Sequence, residues 1–132
     1  MSMSFDVTLK TGFDEAIEKV TNVLKDQGFG ILTRIDVDKT LKTKINVDFR
    51  PYAILGACNP GLAHQAISAR PDVGLMLPCN VVVDQIADGT VLVRFIDPNA
   101  MMTFGDLGED ETLVRVGGEA TAKIKAAAAA LG

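Results

Sequence analysis

The chain has 132 residues, 48% of them hydrophobic and 23% charged, a composition that fits a single globular domain. The formal net charge of −4 argues against a nucleic-acid or anionic-membrane partner, because such partners select a basic surface. The N-terminal residues lack the pattern of a signal peptide, and the apolar stretches are too short to span a bilayer. We therefore expect a cytoplasmic protein whose two cysteines are free thiols by default.

The first half of the chain alternates the patterns of strands and helices. Period-two alternation of apolar and polar residues indicates a strand, and an apolar stripe at three- and four-residue spacing indicates a helix. The predicted elements are, in order, a strand over 5–9, a helix from Thr11 to a stop at Gly28, a strand over 30–37, a short helix or solvated connection over 39–45, and a strand over 52–58.

The second half contains two helices around a hairpin. Asn59 and Pro60 have the residue types of a helix N-cap and first helical position, and this helix is expected to end by residues 70–71. The remaining predicted elements are a hairpin of strands 80–86 and 90–96 around an Asp-Gly turn, a short irregular or helical piece from Asp97, and a last helix from about Thr112. Its two glycines, Gly117 and Gly118, are expected to allow close packing.

Strands preceding helices, together with a hairpin, predict an α+β fold with a mostly antiparallel sheet and helices packed on one face. Alternation places these residues on the core face: Phe5, Val7, Leu9, Ile31, Ile35, Val81, Val83, Val91, Val93 and Phe95. The opposite face mixes charges with Leu32, Val82, Leu92 and Ile96, and is too apolar for comfortable exposure. We expect a homodimer, with Arg34 or Arg94 pairing with Asp36 or Asp84 of the second copy, although a ligand could also cover this face.

The two cysteines are the strongest candidates for chemistry. Cys58 precedes a predicted helix N-terminus, where amide groups and the helix dipole stabilise a thiolate. Cys79 follows Pro78 at the start of a strand, and we expect the returning chain to bring it beside Cys58. Packing alone also accounts for both residues, because cysteine is among the most buried residue types.

His64 is the single histidine, on the helix that begins beside Cys58. It is a candidate base or ligand, but its register is equally compatible with an exposed helix surface. Cys58, Cys79 and His64 do not form the paired spacing of a structural zinc site, so we expect no metal centre, and Met76, Met101 and Met102 suit a soft ion such as Cu(I) only in principle.

Asn59 and Asn80 each follow a cysteine. Their structural roles would be a helix cap and a turn residue, and the functional alternative is that their amides, with Arg50 or Arg70, orient a small polar ligand. The sequence has no phosphate-binding glycine loop, nucleophile elbow or dinucleotide fingerprint, which disfavours an ordinary hydrolase, kinase or dehydrogenase.

Two segments, VDFRPYAILGACNP at 47–60 and LPCNVVV at 77–83, closely resemble the domain-of-unknown-function family 302. The resemblance covers nearly the whole chain and implies a compact α+β fold of the TATA-box-binding-protein-like architecture. It implies no reaction, cofactor or ligand. The family motif is carried over only as a candidate site, at Cys58, Asn59, Pro60, Pro78 and Cys79.

Three functions remain open at this point. The first is a domain that binds a small ligand or senses oxidation through the region of Cys58 and Cys79. The second is a cysteine-dependent enzyme with Cys58 as nucleophile and His64 as base, which we consider the weaker reading. The third is an interaction module with both cysteines in the core.

Overall fold

The computed structural model describes residues 2–132, which form five strands and five α-helices with two short 3-10 turns. The strands are β1 (Ser4–Leu9), β2 (Gly30–Asp36), β3 (Tyr52–Cys58), β4 (Cys79–Ala87) and β5 (Thr90–Ile96). The helices are α1 (Phe13–Asp26), α2 (Val37–Ile45), α3 (Pro60–Ala69), α4 (Pro98–Met102) and α5 (Glu111–Leu131), and the 3-10 turns are Pro71–Met76 and Gly105–Glu109.

The five strands form one open antiparallel sheet in the order β1-β5-β4-β3-β2. The hairpin of β4 and β5 is confirmed, and Gly89 in its turn has a φ of 69°, which glycine adopts without steric cost. The N-terminal strand β1 pairs with β5, so both chain halves contribute to the sheet. The predicted α+β class with an antiparallel sheet is confirmed.

The core lies between one face of the sheet and the long helices. The predicted stripe of α1 is buried at Ala16, Ile17, Val20 and Leu24, and it belongs to the same cluster as Val83 and Phe95 of the sheet. Helix α5 packs against α1, α3, α4 and β1. A two-layer α+β domain is stabilised because the apolar face of the sheet and the apolar faces of the helices are buried against each other.

The predicted core position of Ile35 is wrong. Ile31 pairs with Ala57, but a bulge after it makes Thr33 pair with Gly56, and Ile35 then lies opposite Ile54. An extra residue in one strand exchanges the two faces beyond it. Ile35 is therefore 49% exposed on the outer face of the sheet, while the bulge residue Leu32 is 66% exposed.

The outer face carries a charge cluster that is satisfied within the chain. Asp84 is only 1% exposed and accepts hydrogen bonds from Arg50 Nε at 2.7 Å and Arg94 Nη1 at 3.0 Å. A separate pair lies on the edge strand β2, where Arg34 Nε donates to Asp36 at 3.0 Å; after the bulge both residues are on the face opposite to Ile35. Arg34 and Arg94 thus each have an acid partner within the chain, and their predicted pairing with a second copy stays a prediction.

Among residues 2–132, no helix is both long enough and apolar enough to cross a bilayer. The likeness to the TATA-box-binding-protein architecture stays a prediction, whereas the order and pairing of the strands are now established.

Candidate functional site

An apolar pocket of about 410 Å³ lies where the C-terminal end of β3 meets the helices. Its wall is formed by β2, β3, α3, α4, α5 and the segment that enters β4. The residues that line it are Phe29, Leu32, Thr33, Ala57, Cys58, Asn59, Leu62, Ala63, Ala66, Ile67, Gly74, Leu77, Pro78, Cys79, Pro98, Met102, Val116 and Ala120.

Strand register brings the two cysteines to this pocket. Ala57 pairs with Cys79 across β3 and β4, so Cys58 is one residue from the partner of Cys79. Both are free thiols, Cys58 half-buried and Cys79 buried. The two cysteines are therefore neighbours along adjacent strands, as predicted, but their side chains leave the sheet on opposite faces.

Asn59 fixes the start of α3 beside Cys58. Its Oδ1 accepts a hydrogen bond from the Leu62 amide at 3.2 Å, which confirms the predicted N-cap. Its Nδ2 would lie 3.1 Å from a Cβ at Gly28, a residue with a φ of 81°. The turn after α1 and the start of α3 therefore hold each other in place at the edge of the pocket.

Gly56 allows two neighbouring segments to close over β3. A Cβ at this position would overlap the Thr33 side chain and lie 2.8 Å from Cγ of Pro78. Thr33 and Pro78 both line the pocket, and the Leu77-Pro78 peptide is cis. The absence of a side chain at Gly56 thus positions the β2 bulge and the entry to β4 around the thiols.

Gly117 likewise allows a close approach, here between the helices α4 and α5. A Cβ there would lie 2.9 Å from Asn99 Oδ1 and 3.1 Å from Met102 Cβ, so α4 approaches α5 as closely as the backbone permits. The close packing predicted for the two glycines is therefore found at Gly117 but not at Gly118, where a Cβ would have no atom within 4 Å. Met102, which contacts Gly117, lines the pocket.

Burial raises the pKa of the Cys79 thiol to about 11, and the nearby Cys58 thiolate adds a smaller effect in the same direction. Cys79 is consequently a neutral thiol at physiological pH. Cys58 is the more accessible of the pair, so a reagent entering the pocket meets it first. Within residues 2–132, no three side chains of His, Cys, Asp or Glu are grouped to hold a metal ion.

Several predicted site residues do not reach the pocket. His64 is exposed on α3, Pro60 is exposed at its first position, and Asn80 is exposed opposite Gly56; none of them lines the cavity. Arg50 is bound to Asp84, and Arg70 donates to Asp72 at 2.8 Å. The structure therefore brings together Cys58, Asn59, Pro78 and Cys79, and leaves the others outside.

Most of the apolar residues that line the pocket were not predicted from the sequence. Leu62, Ala66, Val116 and Ala120 have the spacing of core positions, and a residue that faces a cavity has the same pattern as one that faces a filled core. Gly56 was the one residue whose type indicated this region, because an isolated glycine inside a strand often marks the close approach of another segment.

Comparison with known proteins places this arrangement in a family. The model of the family "Domain of unknown function DUF302" matches residues 5–131. The chain belongs to the DUF302 family. The crystal structure of an uncharacterized conserved DUF302 protein from Bacillus stearothermophilus is similar to this DUF302 domain, with a TM-score of 0.86, 28% identity and 100% of each chain covered. No curated protein matches the chain.

Proposed function

We propose that this DUF302 domain binds one small apolar molecule in the pocket beside Cys58 and Cys79. The observation that carries the proposal is the cavity itself. At about 410 Å³ it falls within the range of ligand-binding sites, and it is open to entry beside the half-exposed Ile67 and exposed Leu32.

The chemistry of the wall supports an apolar ligand. Most lining residues are aliphatic or aromatic, and the polar contributions come from Thr33, Asn59 and the two thiols. The Asn59 carbonyl oxygen is already used by the cap of α3. A ligand would gain mainly from burial of apolar surface, at roughly 25 cal/mol per Å².

A fluorescence titration with N-phenyl-1-naphthylamine, a neutral apolar probe, tests the proposal. Ala63 is a half-buried lining residue of α3, and Ala63→Phe fills part of the cavity. Ala69→Phe is the matched control, on the same helix but outside the wall. We expect saturable binding by the wild type and by Ala69→Phe, and at least tenfold weaker binding by Ala63→Phe; equal affinity of all three would reject the pocket as the site.

Oxidation sensing is the second candidate, because Cys58 and Cys79 lie on neighbouring strands and both line the pocket. A peroxide would take one hydrogen from each thiol, so that one S–S bond forms and the peroxide O–O bond breaks, giving two waters from hydrogen peroxide or one alcohol and one water from an alkyl hydroperoxide. Intact mass analysis without reductant tests this: the expected product is lighter by two hydrogen atoms, and sulfinic acid at Cys58 alone would contradict a pair. A cysteine-dependent reaction with His64 as base gains no support, because His64 is exposed outside the pocket.

We further propose that a second copy of the domain covers the outer face of the sheet. Ile35 is 49% exposed there, on a sheet face where Asp84 and Arg94 already pair within the chain. Asp84 on this face binds Arg50 and Arg94, so two such faces would not repel each other strongly. Isologous pairing of this face is the simplest assembly that buries it.

A further inference from the structure

Two large apolar side chains are exposed together at the 3-10 turns. Leu75 in the first turn is 87% exposed, and Phe104, the residue before the second turn, is 66% exposed. Both line a depression of about 190 Å³ that also includes the buried Leu107 and is distinct from the pocket beside the cysteines. A cavity of about 150 Å³ is large enough to hold a benzene ring, so this depression has room for one large apolar side chain.

One arginine links the two sides of the depression. Arg70 Nη2 donates to Asp72 Oδ2 at 2.8 Å and lies 3.5 Å from Asp106 Oδ1, within the distance of an ion pair. Asp72 belongs to the first 3-10 turn and Asp106 to the second. Because one guanidinium bridges both turns, Leu75 and Phe104 are held on the same surface before any partner binds, which lowers the entropy cost of binding.

The rim of the depression is acidic. Arg70 can neutralise only one of the two carboxylates that it contacts. Residues 95–114 contain five acids and no lysine or arginine, and Glu109 and Glu111 are exposed close to Asp106 along the chain. Exposed apolar residues with a polar rim mark an interaction surface, and a rim of one charge sign selects a partner of the opposite sign.

We propose that this surface docks a cationic amphipathic segment of another protein. An apolar side chain of the segment would enter the depression between Leu75 and Phe104, and its lysine or arginine side chains would contact the acidic rim. The charge argues against a membrane, because the rim would repel anionic lipid headgroups. It also argues against the same surface of a second copy, because two acidic rims would then face each other. The proposal does not depend on an apolar ligand in the pocket beside the cysteines.

Fluorescence anisotropy of the fluorescein-labelled amphipathic peptide LKKLLKLLKKLLKL, titrated with the untagged full chain, tests the docking surface. We expect saturable binding of this peptide and much weaker binding of the matched acidic peptide LEELLELLEELLEL. Phe104→Ser should weaken binding of the lysine peptide at least about fivefold, because it removes an aromatic contact at the centre of the surface. Ile45→Ser changes a 63% exposed residue of α2, so it is the matched control and should bind as the wild type does.

A pair of lysine variants separates the local charge from the net charge. Asp106→Lys and Glu18→Lys change the net charge equally, but Glu18 is exposed on α1, away from the depression. Asp106→Lys should weaken peptide binding more than Glu18→Lys does, and added salt should weaken binding by the wild type. Wild-type affinity in Phe104→Ser, equal losses in the two lysine variants, or equal binding of both peptides would each overturn the proposal. Should Phe104→Ser fail to fold by circular dichroism, the lysine variants decide.

Two further measurements address the other possible occupants of this surface. Sedimentation of the wild type, but not of Phe104→Ser, with phosphatidylcholine–phosphatidylserine vesicles would assign the surface to a membrane. A wild-type dimer that Phe104→Ser converts to a monomer would assign it to a second copy. Either result would overturn docking of a cationic partner segment. We expect Phe104→Ser to keep the oligomeric state of the wild type and its binding of the naphthylamine probe, which separates this surface from the apolar pocket.

Discussion

Cys58 and Cys79 both line one pocket, and Ala57, the residue before Cys58, pairs with Cys79 across β3 and β4. A helix and a 3-10 turn separate the two cysteines along the chain. Their meeting is therefore a property of strand register, and a slip of one residue in β4 would move Cys79 to the other face of the sheet.

The two thiols should react at very different rates. Burial raises the pKa of Cys79 to about 11, which leaves roughly a hundredfold less thiolate at pH 8 than an ordinary thiol has. We expect iodoacetamide to modify Cys58 in Cys79→Ser at least about tenfold faster than Cys79 in Cys58→Ser. The rate at Cys79 should keep rising as the pH approaches 11, since the raised pKa delays its ionisation; a plateau by pH 9 would contradict this.

Asp84→Asn should lower the free energy of unfolding by about 1–3 kcal/mol, because Arg50 and Arg94 lose their shared carboxylate. Burial opposes ionisation of Asp84, but hydrogen bonds from Arg50 and Arg94 outweigh it and hold its pKa below the usual range. The wild-type advantage should thus be present at neutral pH and disappear as the pH falls through that lowered pKa.

Urea unfolding at pH 7 and pH 2.5 measures this difference. Asp48→Asn is the control, because Asp48 pairs with Lys42 in full solvent, where an ion pair contributes little. An Asp84→Asn protein as stable as Asp48→Asn at pH 7 would show that the buried carboxylate adds nothing.

Gly56→Ala should destabilise the domain by about 1–3 kcal/mol, since the new methyl group would overlap Thr33 and lie 2.8 Å from Pro78. Gly30→Ala is the matched control in the neighbouring strand, because nothing lies within 4 Å of a Cβ there. Thermal unfolding of the two variants measures the contrast. Similar melting temperatures would mean that Thr33 and Pro78 move aside freely.

Sedimentation equilibrium should find a dimer that Leu92→Glu converts to a monomer, because Leu92 lies on the outer face of β5. Leu75→Glu changes an 87% exposed leucine outside the sheet and should leave the dimer intact. A wild-type monomer at micromolar concentration, or a dimer unaffected by Leu92→Glu, would reject the proposed interface.

Local sequence patterns predicted most of the helices and strands, but they did not predict the pocket. The bounds of β3 and the cap at Asn59 follow from apolar runs and residue types that act within a few positions. The exposure of Ile35 on the outer face could not be predicted from such patterns, because the bulge at Leu32 depends on pairing with a strand distant in sequence. Thiol proximity could be anticipated, whereas Met102 entered the site only through helix packing at Gly117.

Alanine methyl NMR tests the central claim, binding of an apolar molecule in the pocket, most directly. Ala57, Ala63, Ala66 and Ala120 line the cavity, whereas Ala16 and Ala127 are buried elsewhere in the same core. On titration of ¹³C-alanine-labelled protein with N-phenyl-1-naphthylamine, we expect saturable shifts of the four lining methyl groups and little change at the other two. Saturable shifts confined to methyl groups outside the cavity, or no saturable shift at all, would contradict binding of an apolar molecule in this pocket.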